Sequence, residues 1–394
     1  MDLNKIVDRK EDNKASGTHT ENSNKKNEKL ETLLSEFFSI INDRAAPDLW
    51  GEGVNGYYNY IYRKINNFDI KNVNLLTDNM SLYDTIRNND DENEKFGIFL
   101  SALINKNVKA GEKVQITIPI PIKRLFYKLK NGEAHVNIAG EFLGDFAKNS
   151  KIYADEAGDG AGWGIENCEM HVKKAGEFLG RSAKNSRIYA DEAGEGAGSH
   201  MEVCELNIKK AYNYLGYTAK RSTIYIGEAG SFAGIRMENC EMHVKKAAGS
   251  LGYNAKKSII YADEAGNEAG IEMKDCEMHV KKTASGLGFT AKNSKIYADE
   301  AGEGAGMGIE NCEMHVKKTT DWLGFKTINS KIYADEAGEG AGGFMQNSQL
   351  FIYDLKGNLA DNVLKGNNTI YLGKESYEKF PRYRDKVEIW DKSN

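Results

Sequence analysis

The sequence predicts an all-β fold, a right-handed parallel β-helix of about 12 to 13 coils with a small mixed α/β cap at its N-terminus. The first observation is an 18-residue unit that repeats without insertion from Asn131 to Gln346. The second is a short stretch of alternating apolar and polar residues in the unit, as in residues 151–154 (KIYA), which is the period of a half-buried strand. The third is the absence of proline from the repeat, because proline would interrupt a ladder that bonds each coil to the next.

Glycine and asparagine mark the corners of the predicted coil. Position 14 of the unit is glycine in every copy and position 1 is most often asparagine, and both residue types tolerate left-handed backbone. Position 10 is usually glycine as well, and we expect a corner there too. The predicted structural corner glycines at position 14 are Gly144, Gly162, Gly180, Gly198, Gly216, Gly234, Gly252, Gly270, Gly288, Gly306, Gly324 and Gly342.

Side-chain size and charge alternate from one unit to the next. Positions 13 and 17 alternate large and small in opposite phase, which keeps the filled volume of each coil nearly constant. Positions 7 and 8 alternate Asp-Glu and Lys-Lys, so stacked coils about 4.8 Å apart place opposite charges next to each other. A slip of one coil would bring like charges together, and the charges therefore fix the register. A left-handed helix of hexapeptides also has 18 residues per turn, but its every-sixth aliphatic pattern is not present.

The flanking segments predict further regions. Residues 1–28 are polar and are expected to be a disordered tail. Residues 29–130 form a helical and mixed region that caps the solenoid, residues 131–374 form the repeat domain, and residues 375–394 form a C-terminal cap or tail. Within the second region, residues 29–44 predict an amphipathic helix, whose apolar face caps the solenoid, mediates dimerisation or docks on a partner.

The string AGEFLGRSAKNSRIYADEAGEGAG at residues 175–198 resembles the GXGXG-motif right-handed β-helix family. That family includes the C-terminal domain of the glutamate synthase large subunit and one of the subunits of formylmethanofuran dehydrogenase. The glycines that match its motif here are Gly176, Gly180, Gly194 and Gly198. The resemblance covers about residues 131–373. It implies a scaffold whose catalytic partners lie on other domains or subunits, and it carries over no catalytic residue.

Several chemistry-bearing residues recur with the period of the coil. Histidine alternates with tyrosine at position 5, but successive histidines stand two coils or about 9.6 Å apart, too far to share one metal ion. We expect an outward-facing stacked ladder instead. The cysteines are also two coils apart, which exceeds the reach of a disulfide, and we expect small half-buried turn residues. The histidines are His135, His171, His243, His279 and His315, and the cysteines are Cys168, Cys204, Cys240, Cys276 and Cys312.

Two other features suggest chemistry but have simpler explanations. The glycine-rich turns recur in coil after coil without the lysine of a phosphate loop, and the Asp-Glu pairs are flanked by Lys pairs, as on a solvated salt-bridge face. Because charge and size alternate, two successive units make one 36-residue repeat. The third of these repeats departs from the pattern, with Asn207 in place of histidine and Gly227 in place of aspartate. Nearby aromatic residues form a candidate contact surface, namely Tyr212, Tyr214, Tyr217 and Phe232, together with Trp163, Phe178 and Trp322.

These features predict a non-catalytic β-helix scaffold or protein-interaction module, with a protein partner or self-association. The alternatives are an accessory subunit of a multisubunit oxidoreductase, similar to formylmethanofuran dehydrogenase or glutamate synthase, and a carbohydrate-acting β-helix enzyme. We predict no catalytic residue, no metal and no cofactor. A net charge of −5 gives no basic field for nucleic acid, and no apolar run is long enough to cross a membrane. The odd number of cysteines and the polar N-terminus predict a cytoplasmic protein without disulfides.

Overall fold

The computed structural model describes residues 20–41, 43–47, 49, 53–65, 77, 86–384 and 386–391. The chain divides into two compact units, Met1–Gly176 and Glu177–Asn394. Both contain consecutive parallel strands with a spacing of about 18 residues, so the predicted parallel β-solenoid is confirmed. Most of the tail predicted to be disordered, residues 1–19, lies outside the described residues.

The first unit contains helices followed by the first strands of the ladder. Helix α1 begins at Thr20, before the predicted helix start at residue 29. Strand β1 pairs in parallel with β2 through Lys113 and Glu133, so the ladder begins on the N-terminal side of Asn131. We call residues 113–130, which contain β1, the first coil, and residues 131–148 the second coil. Strands β2, β3 and β4 then pair at the 18-residue interval. The elements of the first unit are α1 (Thr20–Ile41), α2 (Gly53–Lys64), α3 (Asp90–Asn107), β1 (Lys113–Ile116), β2 (Glu133–Ala139), β3 (Lys151–Ala157) and β4 (Glu169–Ala175).

The second unit contains a ladder of the same kind, built from consecutive parallel pairs. The spacing lengthens after Gln346, because Gln349 pairs with Thr369, 20 residues on. Its elements are β5 (Arg187–Ala193), β6 (Glu205–Ala211), β7 (Thr223–Ala229), β8 (Glu241–Gly249), β9 (Ile259–Asn267), β10 (Glu277–Thr283), β11 (Lys295–Ala301), β12 (Glu313–Thr319), β13 (Lys331–Ala337), β14 (Gln349–Leu355), β15 (Thr369–Gly373), α4 (Lys374–Lys379), the short 3-10 helix Pro381–Tyr383, and β16 (Glu388–Trp390).

The core of each coil is built from small and medium apolar side chains. In β11, Ile296, Ala298 and Ala301 are buried, whereas the residues at positions 7 and 8 between them point outward. The predicted alternation at positions 13 and 17 is confirmed, since Leu287 with Ala291 in one coil is followed by Ala305 with Ile309 in the next, all fully buried. Each layer therefore holds one large and one small side chain, as close packing requires.

Left-handed backbone occurs four times in each 18-residue unit, at positions 1, 12, 14 and 16. One representative turn contains Gly286, Gly288, Thr290 and Asn293, with φ of 65°, 69°, 53° and 51°. Position 10 is not among these sites, so the expectation of a left-handed corner there is wrong. Its glycine is required by close approach instead, because a Cβ on Gly302 would lie 1.4 Å from the carbonyl oxygen of Ala284.

Helix α3 covers the start of the ladder in the first unit with a stripe of small residues four positions apart, which contains Asn93, Gly97, Ser101 and Asn105. Asn93 Nδ2 donates to Pro121 O at 3.0 Å, and Lys123 N donates to Asn93 Oδ1 at 2.8 Å. Asn105 Nδ2 donates to Tyr127 O at 3.0 Å, while Tyr127 N donates to Ser101 Oγ at 3.1 Å. These side chains satisfy backbone groups at the end of the ladder that no further strand pairs with.

The other two helices pack around α3. Phe37 of α1 contacts Phe96 and Phe99 of α3, with ring centroids 5.3 and 5.4 Å apart. Tyr58 of α2 contacts Tyr127 of the first coil edge-on at 5.2 Å. The apolar face of α1 is therefore used within this unit, on the helix that covers the ladder.

A buried ion pair joins the first coil to the second beneath α3. Arg124 Nη1 lies 2.7 Å from Asp145 Oδ2, and Arg124 Nε also contacts Glu94 of α3. Asp145 is only 1% exposed. Burial raises the pKa of the Asp145 carboxyl to about 7 in spite of the arginine, because removing the carboxylate from water penalises its charged form.

Candidate functional site: the histidine–tyrosine ladder

Position 5 of the unit is the third residue of each strand and lies between two buried residues, so its side chain points outward. In the second unit the stacked rings at this position run from β7 to β15, where they end with Phe351 and Tyr371, and we call the histidines and tyrosines from β7 to β13 the His–Tyr ladder. Neighbouring ring centroids are 4.5 to 5.3 Å apart and the ring planes differ by 11 to 21°. The stacking predicted from the sequence is confirmed. The rings are Tyr225, His243, Tyr261, His279, Tyr297, His315 and Tyr333.

Stacking leaves the edges of these rings, but not their faces, available to solvent. A sugar stacks on the face of an aromatic ring, and every ring face between Tyr225 and Tyr333 is already covered by the neighbouring ring. The first unit shows the same arrangement, with Tyr153 stacked between His135 and His171 at 4.3 and 4.9 Å. The filled part of the ladder is therefore a poor platform for carbohydrate.

Each ladder histidine is bound to the glutamate two residues before it. Nε2 of His243, His279 and His315 lies 2.6 to 2.7 Å from the glutamate Oε1 in the same strand. Hydrogen bonding to His315 holds the pKa of the Glu313 carboxyl below its usual value. Within the described residues, no group of three or more His, Cys, Asp or Glu side chains could hold a metal ion.

Lysines beside the ladder connect strand β10 to both of its neighbours. Lys281 Nζ at position 7 lies 2.7 Å from Asp263 in the preceding strand. Lys282 Nζ at position 8 lies 3.5 Å from Glu300 in the following strand. The same pairing recurs in the next repeat, where Lys317 lies 2.6 Å from Asp299. The predicted alternation of charge thus forms specific interstrand ion pairs.

An open groove of about 1270 Å³ runs along this face from β6 to β13. One wall is the His–Tyr ladder and the other is the row of Lys–Asp pairs at position 7. Buried valine and alanine at position 6, such as Val280 and Ala298, form the floor. Seven strand spacings give the groove a length of about 34 Å. The groove was not predictable from the sequence, because it depends on the two rows lying side by side with position 6 below both.

The third repeat interrupts both walls at one end of this groove. Asn207 pairs in register with Tyr189 on one side and Tyr225 on the other, at the level where other repeats have a histidine ring. Gly227 stands where Asp263 and Asp299 stand in later strands. Lys245, which would pair with an aspartate at 227, has no carboxylate within 4 Å among the residues that the structure describes. The deviation noted in the sequence therefore lies inside the groove.

The five cysteines form an internal row rather than a reactive one. All are free thiols that are buried, not half-buried as expected. Cys276 Sγ lies 3.2 Å from Lys274 O, and Ser258 N donates to Cys276 Sγ at 3.4 Å. Burial raises the pKa of the Cys276 and Cys312 thiols, which disfavours the nucleophilic thiolate.

The aromatic residues proposed as one contact surface fall into separate clusters. Tyr214 stacks on Phe232 at 5.3 Å, and Tyr217 meets His200 edge-on at 5.4 Å. Trp322 belongs to a second cluster of the same unit, 5.3 Å from Phe325. Trp163 lies in the first unit, 6.0 Å from Phe142.

The twelve corner glycines allow the left-handed backbone of the coil and do not line the groove. All have φ between 65 and 78°, and their Cα atoms face the core. A Cβ on Gly288, for example, would lie 2.4 Å from Ile296 Cδ1. They therefore shape the coil without contributing a functional group.

Comparisons with protein-family models, with curated proteins and with solved structures found no match for this chain. The resemblance to the GXGXG β-helix family accordingly stays a prediction. None of the helices in the described part of the chain is long and apolar enough to cross a membrane.

Proposed function

We propose that this protein is a non-catalytic scaffold or protein-interaction module, and that the groove beside the His–Tyr ladder is its contact surface. The observation that carries the proposal is that successive sites along the groove are nearly identical to one another. His243, His279 and His315 each bind their own glutamate at nearly the same distance. Catalysis needs groups in a unique arrangement, whereas these groups recur with the coil and are paired with one another.

The groove supplies what a contact surface needs. It combines a small apolar floor with ring edges on one wall and both signs of charge on the other. Its backbone groups are already bonded within the ladder, so a partner would bind through side chains and not by adding a strand. The rigid spacing of the coils presents the same groups at fixed intervals.

The accessory-subunit alternative rests on the family resemblance alone. The carbohydrate-enzyme alternative requires carboxylates that are free to act as acid and base. In the groove, Asp263 and Asp299 are instead bound to lysines at 2.7 and 2.6 Å. The scaffold proposal is therefore the one that the geometry favours.

A charge exchange tests the groove as a contact surface. The double variant Asp299→Lys with Lys317→Asp keeps an ion pair but reverses its direction within the groove. The matched control, Lys292→Glu with Glu310→Lys, reverses a pair of similar length, 2.7 Å, outside the groove. Each tagged full-length protein is purified from its native cells, and bound proteins are quantified by mass spectrometry.

We expect the groove exchange to reduce capture of a stoichiometric partner at least tenfold and the control exchange to leave it unchanged. Light scattering of the purified protein identifies a second copy of the chain as that partner. Equal capture by both variants, or no stoichiometric partner for the natural sequence, would overturn the proposal. Melting curves of both variants verify that each is folded.

A further inference from the structure

The missing ring at Asn207 leaves a gap in an otherwise continuous stack. In the next repeat, His243 fills the corresponding level and lies 4.9 Å from Tyr225 and 4.9 Å from Tyr261. Asn207 occupies the same register between Tyr189 and Tyr225. The side chain of Asn207 is shorter than that of histidine and carries no ring. Among the described residues, no ring therefore stacks on the face of Tyr225 toward Asn207.

A hydrogen-bond acceptor is retained beside this gap. Glu205 stands two residues before Asn207, as Glu241 stands before His243. Glu241 Oε1 lies 2.7 Å from the histidine Nε2, but Asn207 offers Glu205 no imidazole. Glu205 Oε2 keeps a long contact of 3.8 Å to Arg187 Nε. The glutamate of the dyad is therefore present without its histidine.

On the opposite wall of the groove, Lys245 lacks the aspartate that the corresponding lysines bind in other strands. Lys209, Lys281 and Lys317 each lie 2.6 to 2.7 Å from an aspartate in the preceding strand. Gly227 removes the corresponding aspartate below Lys245, and both residues line the same groove as Asn207 and Tyr225. The ring and the carboxylate are thus both missing from the same pair of neighbouring strands, β6 and β7.

We propose that the gap in the ring stack at the level of Asn207 binds a small planar heteroaromatic ligand that carries an N–H donor and an anionic group. The ring of the ligand stacks on Tyr225 at the level that histidine occupies elsewhere. Its N–H donates to Glu205, and its anionic group pairs with Lys245 in place of the missing aspartate. This inference does not depend on the scaffold proposal, since it concerns binding to the chain alone.

Imidazole-4-acetate is the probe, because it carries both groups, and imidazole and acetate are the partial probes. Binding to the full-length protein is followed by NMR line shifts of the probe and by calorimetry. We expect one site per chain that binds imidazole-4-acetate at least tenfold more tightly than imidazole. Acetate alone should bind more weakly than either.

Three variants test which residues of the site are responsible for binding the probe. Asn207→His restores the residue of the other repeats and should weaken binding at least tenfold without loss of thermal stability. Lys245→Met should remove the preference for imidazole-4-acetate over imidazole. His279→Asn opens an equivalent gap, but there the pair that corresponds to Gly227 and Lys245 is the intact Asp299–Lys317 pair, so this variant should add a second site that shows no preference for the acid.

Equal binding of imidazole-4-acetate by the natural protein and Asn207→His would overturn the inference, as would failure of His279→Asn to add a site. If the natural protein captures no stoichiometric partner but still binds the probe, only the scaffold proposal is overturned.

Discussion

The junction beneath α3 and the repeats of the second unit are stabilised in opposite ways. At the junction, Asn93, Ser101 and the Arg124–Asp145 pair each make contacts of a kind that occurs once. In the repeats, the Glu–His contact and the Lys–Asp contact recur in strand after strand. A repeated contact can be lost in one coil while its copies remain, whereas a unique contact has no substitute. The comparison predicts that single changes at the junction act on the whole cap, and that single changes in the repeats act on one coil.

The largest expected effect concerns the buried carboxyl of the junction. Asp145 has a pKa of about 7 when folded, against an ordinary value of 3.8. Between these values the folded chain holds a proton that the unfolded chain has lost, so stability falls as pH rises from about 4 to about 7. The difference amounts to at most about 4 kcal/mol.

Asp145→Asn should remove this pH dependence from the unfolding free energy of the cap, measured by urea denaturation across that range. Subtracting the two profiles cancels the titration of groups common to both proteins. Parallel pH profiles for the two proteins would contradict the prediction.

The second effect tests one coil of the repeat. Gly286 and Gly288 share a left-handed backbone, so alanine costs about 1 kcal/mol or more at either site. A Cβ on Gly286 meets Glu268 at an ordinary 3.6 Å, but one on Gly288 would overlap Ile296 at 2.4 Å. We expect Gly286→Ala to lose about 1 kcal/mol and Gly288→Ala about 3 kcal/mol. Equal losses in chemical denaturation would show that the inner face of the corner is not close-packed.

The third effect concerns helix α3. Alanine is a better helix former than glycine by about 1 kcal/mol, yet a Cβ on Gly97 would lie 1.8 Å from Lys123 O. Gly97→Ala should therefore destabilise the cap by about 2 kcal/mol, with faster amide exchange throughout α3. The exposed site Asp91 on the same helix provides the control, since Asp91→Ala should change stability by less than about 0.5 kcal/mol. A stabilising Gly97→Ala would mean that α3 does not rest closely on the first coil.

The smallest effect concerns the exposed charges. Lys281→Glu places a third acidic side chain between Asp263 and Asp299, whereas Lys245→Glu faces Gly227 on one side. We expect the melting temperature to fall more for Lys281→Glu, and the difference to shrink at high salt because exposed charges are screened. Identical melting curves for the two variants at low salt would show that the ion pairs do not stabilise the register.

The sequence was sufficient for the period, the parallel register and the large-and-small core, because each depends on residues 18 apart that the repeat itself displays. It was insufficient for the left-handed sites at positions 12 and 16. Residues such as Phe178 and Thr290 adopt positive φ there, which their own preferences do not indicate. The contacts of Asn93 and Ser101 were also not predictable, since they join residues about 30 positions apart that do not repeat.

The candidate site was predictable only in part. The substitutions at Asn207 and Gly227 are visible in the sequence as departures from the repeat. Their meaning depends on positions 5 and 7 facing the same groove in neighbouring strands, and that required the structure. A regular repeat thus makes an exception easy to find but does not explain what the exception does.

The two-strand alternation of charge also limits how such a chain can lengthen during evolution. Inserting a single turn would set an Asp-Glu strand beside another Asp-Glu strand, or a Lys-Lys strand beside its like. Inserting two turns restores every pairing, including the order of histidine and tyrosine. Duplication or deletion in this gene is therefore expected to be tolerated in steps of two turns, so that homologous solenoids should differ in length by even numbers of coils.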